Sequence, residues 1–336
     1  MKQLSIGIVN DSAVEIEMLR HVIVMATEHE FSWIAHDGRE AVTLCAENTP
    51  DLILMDIAMP VMGGVETTCT IMRDTPCAIL MVTDDLVGNA SLIFKAMGCG
   101  ALDAAGVPYF EDDGSINGAE ELLKKIATIN KIVSGNRKNN RPQRNRTIVN
   151  KQAPSIVAVG SSTGGPKILA SIISRLPSHI TAPIVIVQHV DAQFSRSLAE
   201  WLNEQTPLTV TIAREKDYPR QGIVYLAETN DHLVMSPDFT FHYTPDPVDY
   251  PFRPSVDSFF HSLAKLWPSK GTAILLSGMG KDGASGLLAL RNAGWKTVAQ
   301  DKESSVVFGM PKSAIEMDAA EEVLNPQEIA RLLSTL

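Results

Sequence analysis

The chain has 336 residues, 45% of them hydrophobic, and a formal net charge of -10. That length is enough for two domains, each with its own core, and the acidic balance argues against a nucleic-acid-binding output, which normally presents a basic face. No apolar run approaches a membrane span, and the start, Met1-Lys2-Gln3 then Ile6-Gly7-Ile8-Val9-Asn10-Asp11, is too short and too soon polar for a signal peptide, so a cytoplasmic protein without membrane insertion is expected.

From Leu4 to about Val133, apolar runs at 4–9, 31–35, 51–55, 78–82 and 101–105 alternate with helical periodicity, as in Val14 to Met25 and Leu86 to Met97. Five βα pairs in one direction predict a flavodoxin-like, doubly wound parallel sheet whose ligands bind at the carboxyl ends of the strands. Asp11 follows the first run, Asp56 ends the third and Thr83 the fourth. Two carboxylates at that edge suit Mg²⁺, which takes oxygen ligands and keeps waters for a phosphate. A lone Asp after a strand is more often a turn residue, but three polar groups at three neighbouring strand ends are harder to dismiss. Cys45, Cys69, Cys77 and Cys99 form no Cys-x-x-Cys pair and read as reduced core thiols, neither a disulfide frame nor a zinc site.

These residues resemble a response-regulator receiver domain. The resemblance implies that Asp56, in Leu54-Met55-Asp56-Ile57-Ala58-Met59-Pro60, is the phospho-acceptor, with a histidine kinase as phosphodonor. It makes Asp11, Asp56 and the Ala58 carbonyl Mg²⁺ ligands and Thr83 the hydroxyl that follows the phosphoryl group. Two positions depart from the pattern: Asn10 replaces an acidic residue, and Val107, before Pro108, replaces a lysine. An ammonium offsets a phosphoryl charge of about -2, and valine cannot, so weak or altered activation is expected.

Between Lys131 and Pro154 the chain carries Arg137, Lys138, Arg141, Arg144, Arg146 and Lys151 without an acidic residue. A polar, self-repelling spacer fits this stretch; contact with an acidic partner is the alternative. The expected organisation is a receiver domain over 1–133, a basic linker over 134–153 and a catalytic domain over 154–336.

The second domain opens with an apolar strand, Ile156 to Val159, the turn Gly160-Ser161-Ser162-Thr163-Gly164-Gly165, and Pro166 at a helix start. Taken alone, the turn is a helix cap or a backbone anion site, for a phosphate or an oxyanion. Ala182 to Val187 reads as a second strand ending in Gln188-His189. The runs 209–213, 223–227, 232–236 and 240–243 read as antiparallel ribbons. Thr272 to Leu276 is a buried strand leading into Ser277-Gly278-Met279-Gly280-Lys281-Asp282-Gly283. The class is α/β, mostly parallel and doubly wound, with antiparallel ribbons.

Ser162, His189 and Asp282 thus follow three apolar runs of one domain. If those runs are neighbouring parallel strands, a nucleophile, a base and an orienting carboxylate share one sheet edge. Gly160-x-Ser162-x-Gly164 fits a nucleophile elbow, but that fold orders its triad Ser, acid, His. The order here favours a convergent serine hydrolase, and Gly-x-Gly-x-x-Gly is absent, which weakens a dinucleotide site.

From Ser155 onward the sequence resembles the catalytic domain of the chemotaxis receptor-modifying protein-glutamate methylesterases. The matching stretches are 160–165, Val187-Gln188-His189, 223–227, Arg253-Pro254-Ser255-Val256-Asp257, 278–283 and 297–311. The resemblance implies hydrolysis of glutamate γ-methyl esters, and deamidation of particular glutamines, on the cytoplasmic helices of methyl-accepting chemoreceptors. It assigns the triad to Ser162, His189 and Asp282, places Thr163 and the Met279 N–H at the reaction centre, and needs no cofactor for the esterase. It also implies that the unphosphorylated receiver covers the active-site face. A non-catalytic signalling adaptor is the alternative, opposed by retention of all three triad residue types.

Overall fold

The structure, a computed structural model, describes residues 3–26, 28–110, 116–134 and 155–336. They fall into two compact units, divided between residues 142 and 143. Beyond Ser134, the expected basic linker lies outside the described residues.

The first unit runs β1 (Ser5–Val9), α1 (Ala13–Ala26), β2 (Glu30–Ala35), α2 (Gly38–Glu47), β3 (Leu52–Asp56), α3 (Gly64–Asp74), β4 (Ala78–Thr83), α4 (Ala90–Cys99) and β5 (Asp103–Gly106). A two-residue ribbon, β6 (Tyr109–Phe110) with β7 (Ile116–Asn117), precedes α5 (Ala119–Ser134). The sheet order is β2-β1-β3-β4-β5, all parallel. Alternate side chains go to opposite faces: Ile6, Ile8, Leu52, Leu54, Leu80 and Val82 join one core, Val9, Ile53, Met55, Ile79 and Met81 the other. Helices on both faces explain why the strands read as continuous apolar runs. The order switches between β1 and β3, which places Asp11 and Asp56 at the crevice where such sheets bind ligands.

The cysteine expectation is corrected in part. Cys45 and Cys77 are free thiols, but Cys69 on α3 and Cys99 at the end of α4 are paired as a disulfide, their Cα atoms 4.8 Å apart. Thirty residues separate them, and only the packing of α3 on α4 brings them together.

The second unit comprises β8 (Val157–Ser161), α6 (Gly165–Ile173), β9 (Ile184–Gln188), α7 (Ala192–Glu204), β10 (Thr209–Ile212), β11 (Ile223–Leu226), β12 (His232–Met235) and β13 (Phe241–Thr244). It continues with α8 (Val256–Leu266), β14 (Thr272–Leu275), α9 (Ala284–Asn292), β15 (Lys296–Gln300), α10 (Met310–Glu316), β16 (Glu322–Leu324) and α11 (Pro326–Leu333). Its seven-stranded sheet, β10-β11-β9-β8-β14-β15-β16, is parallel throughout. Of the four runs expected as ribbons, only β12 and β13 pair antiparallel; β10 and β11 extend the main sheet in parallel. The ten residues between β10 and β11 cross over instead of turning back, and they bond to β13 through Lys216 N–H to Phe241 O and Phe241 N–H to Asp217 O.

Ala158, Val185, Val187, Ala273 and Leu275 pack under Phe259, Phe260, Leu287 and Met310, while Val157, Val159, Ile184 and Ile186 are buried on the opposite side. Local chemistry ends the helices where they are needed. Asp191 and Ser255 cap α7 and α8, and Asn325 with Glu328 forms a capping box on α11, each placing an oxygen on an otherwise unpaired N–H. Among the described residues no helix is long and apolar enough to cross a membrane.

Candidate active site

Strands β9, β8 and β14 are adjacent at the centre of the second sheet, so the sequence elements that end near Ser162, His189 and Asp282 are neighbours. Ser161 pairs in register with Gln188, and the His189 N–H donates to Ser161 O at 3.0 Å. This sets Ser162 and His189 side by side, each one residue past its strand. Gln188 locks the junction: Ser161 Oγ–H donates to its Oε1 at 2.5 Å, and its Nε2 donates to the carbonyls of Ser162 and His189 at 2.9 and 3.2 Å. Gly164, at φ +77°, turns the chain into α6 in a conformation that side chains resist.

Asp282 sits farther from its strand, at the end of the turn that precedes α9, and returns to His189. The ring nitrogen Nε2 lies 2.7 Å from Asp282 Oδ2, with side chains 7% and 8% exposed. Burial pushes the Asp282 carboxyl up, but the His189, Val256 and Asp257 donors outweigh it and hold the group below the usual carboxylate range. An ionised carboxylate only accepts, so Nε2 carries the imidazole proton and Nδ1 the lone pair. That Nδ1 is buried without a hydrogen-bond partner. Phe252 stacks on the ring, centroids 4.3 Å apart and planes 8° from parallel.

The Ser162 side chain lies against Gly278, where an added Cβ would come within 2.7 Å of Ser162 Cβ and 2.2 Å of Met310 Sδ. Gly278 spends its N–H on Val307 O. Among the described residues no backbone bond is donated by the N–H of Thr163, which follows Ser162, or of Met279, which follows Gly278, and such groups are open to an anion. Sequence reasoning left Gln188, Phe252 and Ser255 without a chemical role. Ser255 and Phe252 act across the fold, and no local spacing marks them. A cleft of about 490 Å³ lies elsewhere, between α7 and β10, and contains none of these residues.

In the first unit Asp56 is buried at the end of β3, its Oδ1 accepting from the Ile57 N–H at 2.6 Å. Burial pushes its carboxyl up to about 6 against the Ile57 and Ala58 N–H groups, and the charges of Glu15 and Asp11 add to the rise. Glu15 escaped the sequence reading: its Oε2 accepts from Asn10 Nδ2 at 2.8 Å, while Asn10 Oδ1 takes the Ser12 N–H at 2.7 Å. Asn10 thus holds a carboxylate near the position where it lacks its own. Thr83 is buried, and its Oγ accepts from Asn89 Nδ2 at 2.8 Å. Val107 packs on the core and gives its N–H to Thr83 O at 3.0 Å. Among the described residues no three acidic, histidine or cysteine side chains form a complete metal cluster. Two carboxylates and one carbonyl are nonetheless an all-oxygen set suited to Mg²⁺, which fills its remaining positions with water and phosphate.

The CheB methylesterase model matches residues 157–333, and the response regulator receiver domain model matches 6–105. Over 333 residues the chain is 47% identical to protein-glutamate methylesterase/protein-glutamine glutaminase 2 of Cupriavidus metallidurans, covering 99% of this chain and 98% of that one. A Mesorhizobium japonicum protein-glutamate methylesterase/protein-glutamine glutaminase is 45% identical over 323 residues, 96% and 95% of the two chains. The crystal structure of the Thermotoga maritima CheB methylesterase catalytic domain superposes with a TM-score of 0.52 at 39% identity, covering 55% of this chain and 99% of that one. With both domain models matched in series and near full-length relatives at this identity, the chain belongs to the CheB methylesterase family and carries a response regulator receiver domain before its catalytic domain.

Proposed function

We propose that this chain hydrolyses glutamate γ-methyl esters on the cytoplasmic helices of chemoreceptors, deamidates particular receptor glutamines at the same site, and is controlled by phosphorylation of its receiver in the cytoplasm. The observation that carries the reading is the polarised imidazole: His189 Nε2–H is engaged by an Asp282 that three further donors hold, Nδ1 is buried without a hydrogen-bond partner, and the His189 backbone is bonded to Ser161, next to Ser162.

Ser162 Oγ attacks the γ-carbonyl carbon as its proton passes to His189 Nδ1, and Asp282 stabilises the imidazolium. The Thr163 and Met279 N–H groups receive the oxyanion. Collapse expels methanol, which takes the proton from His189, or ammonia when the substrate is glutamine. Water, deprotonated by the same nitrogen, attacks the acyl-enzyme and releases the carboxylate and Ser162.

In the receiver, Asp56 accepts a phosphoryl group from a histidine kinase. Asp11, Asp56 and the Ala58 carbonyl would hold Mg²⁺, which offsets phosphoryl charge when bound. Thr83 follows the phosphoryl group, and Val107 supplies no compensating charge.

The test is methanol release from methylated receptor by the purified full chain. Wild type is active and Ser162→Ala inactive, and an active-site serine probe labels only wild type. Equal rates for both proteins would remove Ser162 from its role, and an inactive, unlabelled wild type would point to the adaptor.

A further inference from the structure

Asp282 is held by more than its histidine. On Oδ1 it accepts Ser255 Oγ–H at 2.8 Å and the Asp257 N–H at 3.1 Å; on Oδ2 it accepts the Val256 N–H and His189 Nε2–H, each at 2.7 Å. A carboxylate offers about four lone-pair sites, so all are filled. Three of these donors come from the start of α8, where unpaired N–H groups and the helix dipole favour negative charge. Ser255 alone among the three contributes a side chain.

Ser255 is itself pinned. It is 1% exposed, and its N–H donates to Nδ1 of the fully buried His232 at 3.1 Å. His232 Nε2–H donates to the Pro247 carbonyl at 3.1 Å, so one tautomer serves both partners. A continuous set of bonds therefore runs from the Pro247 carbonyl through His232 and Ser255 to Asp282 and His189.

We infer that Ser255 is a positioning residue of the esterase, whose hydroxyl fixes the rotation of the Asp282 carboxylate and through it the orientation of His189. The inference rests on the ester hydrolysis proposed above. Ser255 contacts neither nucleophile nor ester. Without its hydroxyl, Oδ1 keeps one donor, the carboxylate can turn about its Cβ–Cγ bond, and the imidazole loses its fixed partner. The Asp257 and Tyr250 side chains and His189 are the titratable groups that act on Asp282 or feel its charge, and none is altered by the substitution.

Ser255→Ala should lower kcat about 10- to 100-fold, the effect of one hydrogen bond to a charged group, with KM unchanged because no substrate contact is lost. Ser255 also caps α8 through the Ser258 N–H, so the variant loses some stability. Asn325→Ala, which deletes the cap of α11, is the control: it loses stability but keeps kcat.

The experiment measures methanol release, thermal unfolding and the far-downfield proton resonance of the His189–Asp282 hydrogen bond in the full chain. Wild type, Ser255→Ala, Ser255→Thr and Asn325→Ala are compared, with Ser255→Cys replacing alanine if that variant does not fold. Loss of kcat and of the resonance in Ser255→Ala, both restored in Ser255→Thr, is the expected result. Unchanged kcat, an equal loss in Asn325→Ala, or no rescue by threonine overturns it. If wild type releases no methanol, the ester reading fails, and the resonance still decides the positioning: persistence in Ser255→Ala defeats it.

Discussion

His189 Nε2 stands 2.7 Å from Asp282 Oδ2, and that contact selects which ring nitrogen is basic. Asp282→Asn keeps the shape but places an amide where the ring needs an ionised acceptor, and it permits the wrong tautomer. The expected outcome is a fall in kcat of about ten-thousandfold, as when a triad carboxylate is neutralised, with little change in KM. Steady-state methanol release checks it; a fall of less than tenfold would mean that Asp282 does not orient the base.

The parts of this site that were legible in the sequence are those set by strand ends. Ser162 and His189 each follow a buried strand by one residue, so finding the strand finds the residue. Asp282 was visible through its glycine-flanked turn, but its partners were not: Ser255, Val256 and Asp257 lie some 25 positions away and meet it only because α8 starts beside that turn. The receiver sheet was legible because both of its faces are buried, giving unbroken apolar runs. Four-residue strands such as β10 and β11 carry no sign of direction, so their parallel pairing had to come from tertiary structure. Cys69 and Cys99 follow the same logic, since helix packing and not spacing joins them.

Gly278 has no room for a methyl group between Ser162 and Met310. Gly278→Ala must displace Ser162 or the buried Met310 thioether, at a cost of about 1–3 kcal/mol. Both a lower denaturation midpoint and a large loss of kcat are expected. Retention of full activity would show that the Ser162 turn can shift freely.

Phe252 covers one face of the His189 ring. During acylation that ring becomes cationic, and an aromatic face favours the cation. Removing the stack in Phe252→Ala should cost about 0.5–1.5 kcal/mol, a fall in kcat of roughly 2- to 10-fold, while Phe252→Tyr retains activity. Equal kcat for the alanine and tyrosine variants would assign Phe252 to packing alone.

Asp257 caps the start of α9 through the Gly286 N–H at 2.6 Å. Burial pushes its carboxyl up from 3.8 to about 6 despite that bond, and the neighbouring Asp282 charge adds to the rise. A native value above the unfolded one means that the native state holds the proton more tightly. The group's stabilisation is therefore complete below about pH 4 and lost as pH climbs through about 6. Asp257→Asn does not titrate, so its stability relative to wild type should improve across that window by up to about 3 kcal/mol. Urea denaturation at several pH values reads the difference; a constant offset between the two proteins would contradict it.

Val107 offers the remaining prediction because it follows β5, two strands from the β3 that ends in Asp56, and its side chain contributes only apolar surface. A phosphoryl group on Asp56 adds a charge of about -2 where Glu15 and Asp11 already raise the carboxyl. Thr83 must also leave its bond from Asn89 to follow that group. With no ammonium to draw the phosphoryl toward β5, the active arrangement gains little, so a small acyl phosphate should raise the wild-type esterase rate only weakly. Val107→Lys should enlarge that activation, and Asp56→Asn should abolish it in both backgrounds. Strong Asp56-dependent activation of wild type, unchanged by Val107→Lys, would mean that the switch draws its charge compensation from another residue.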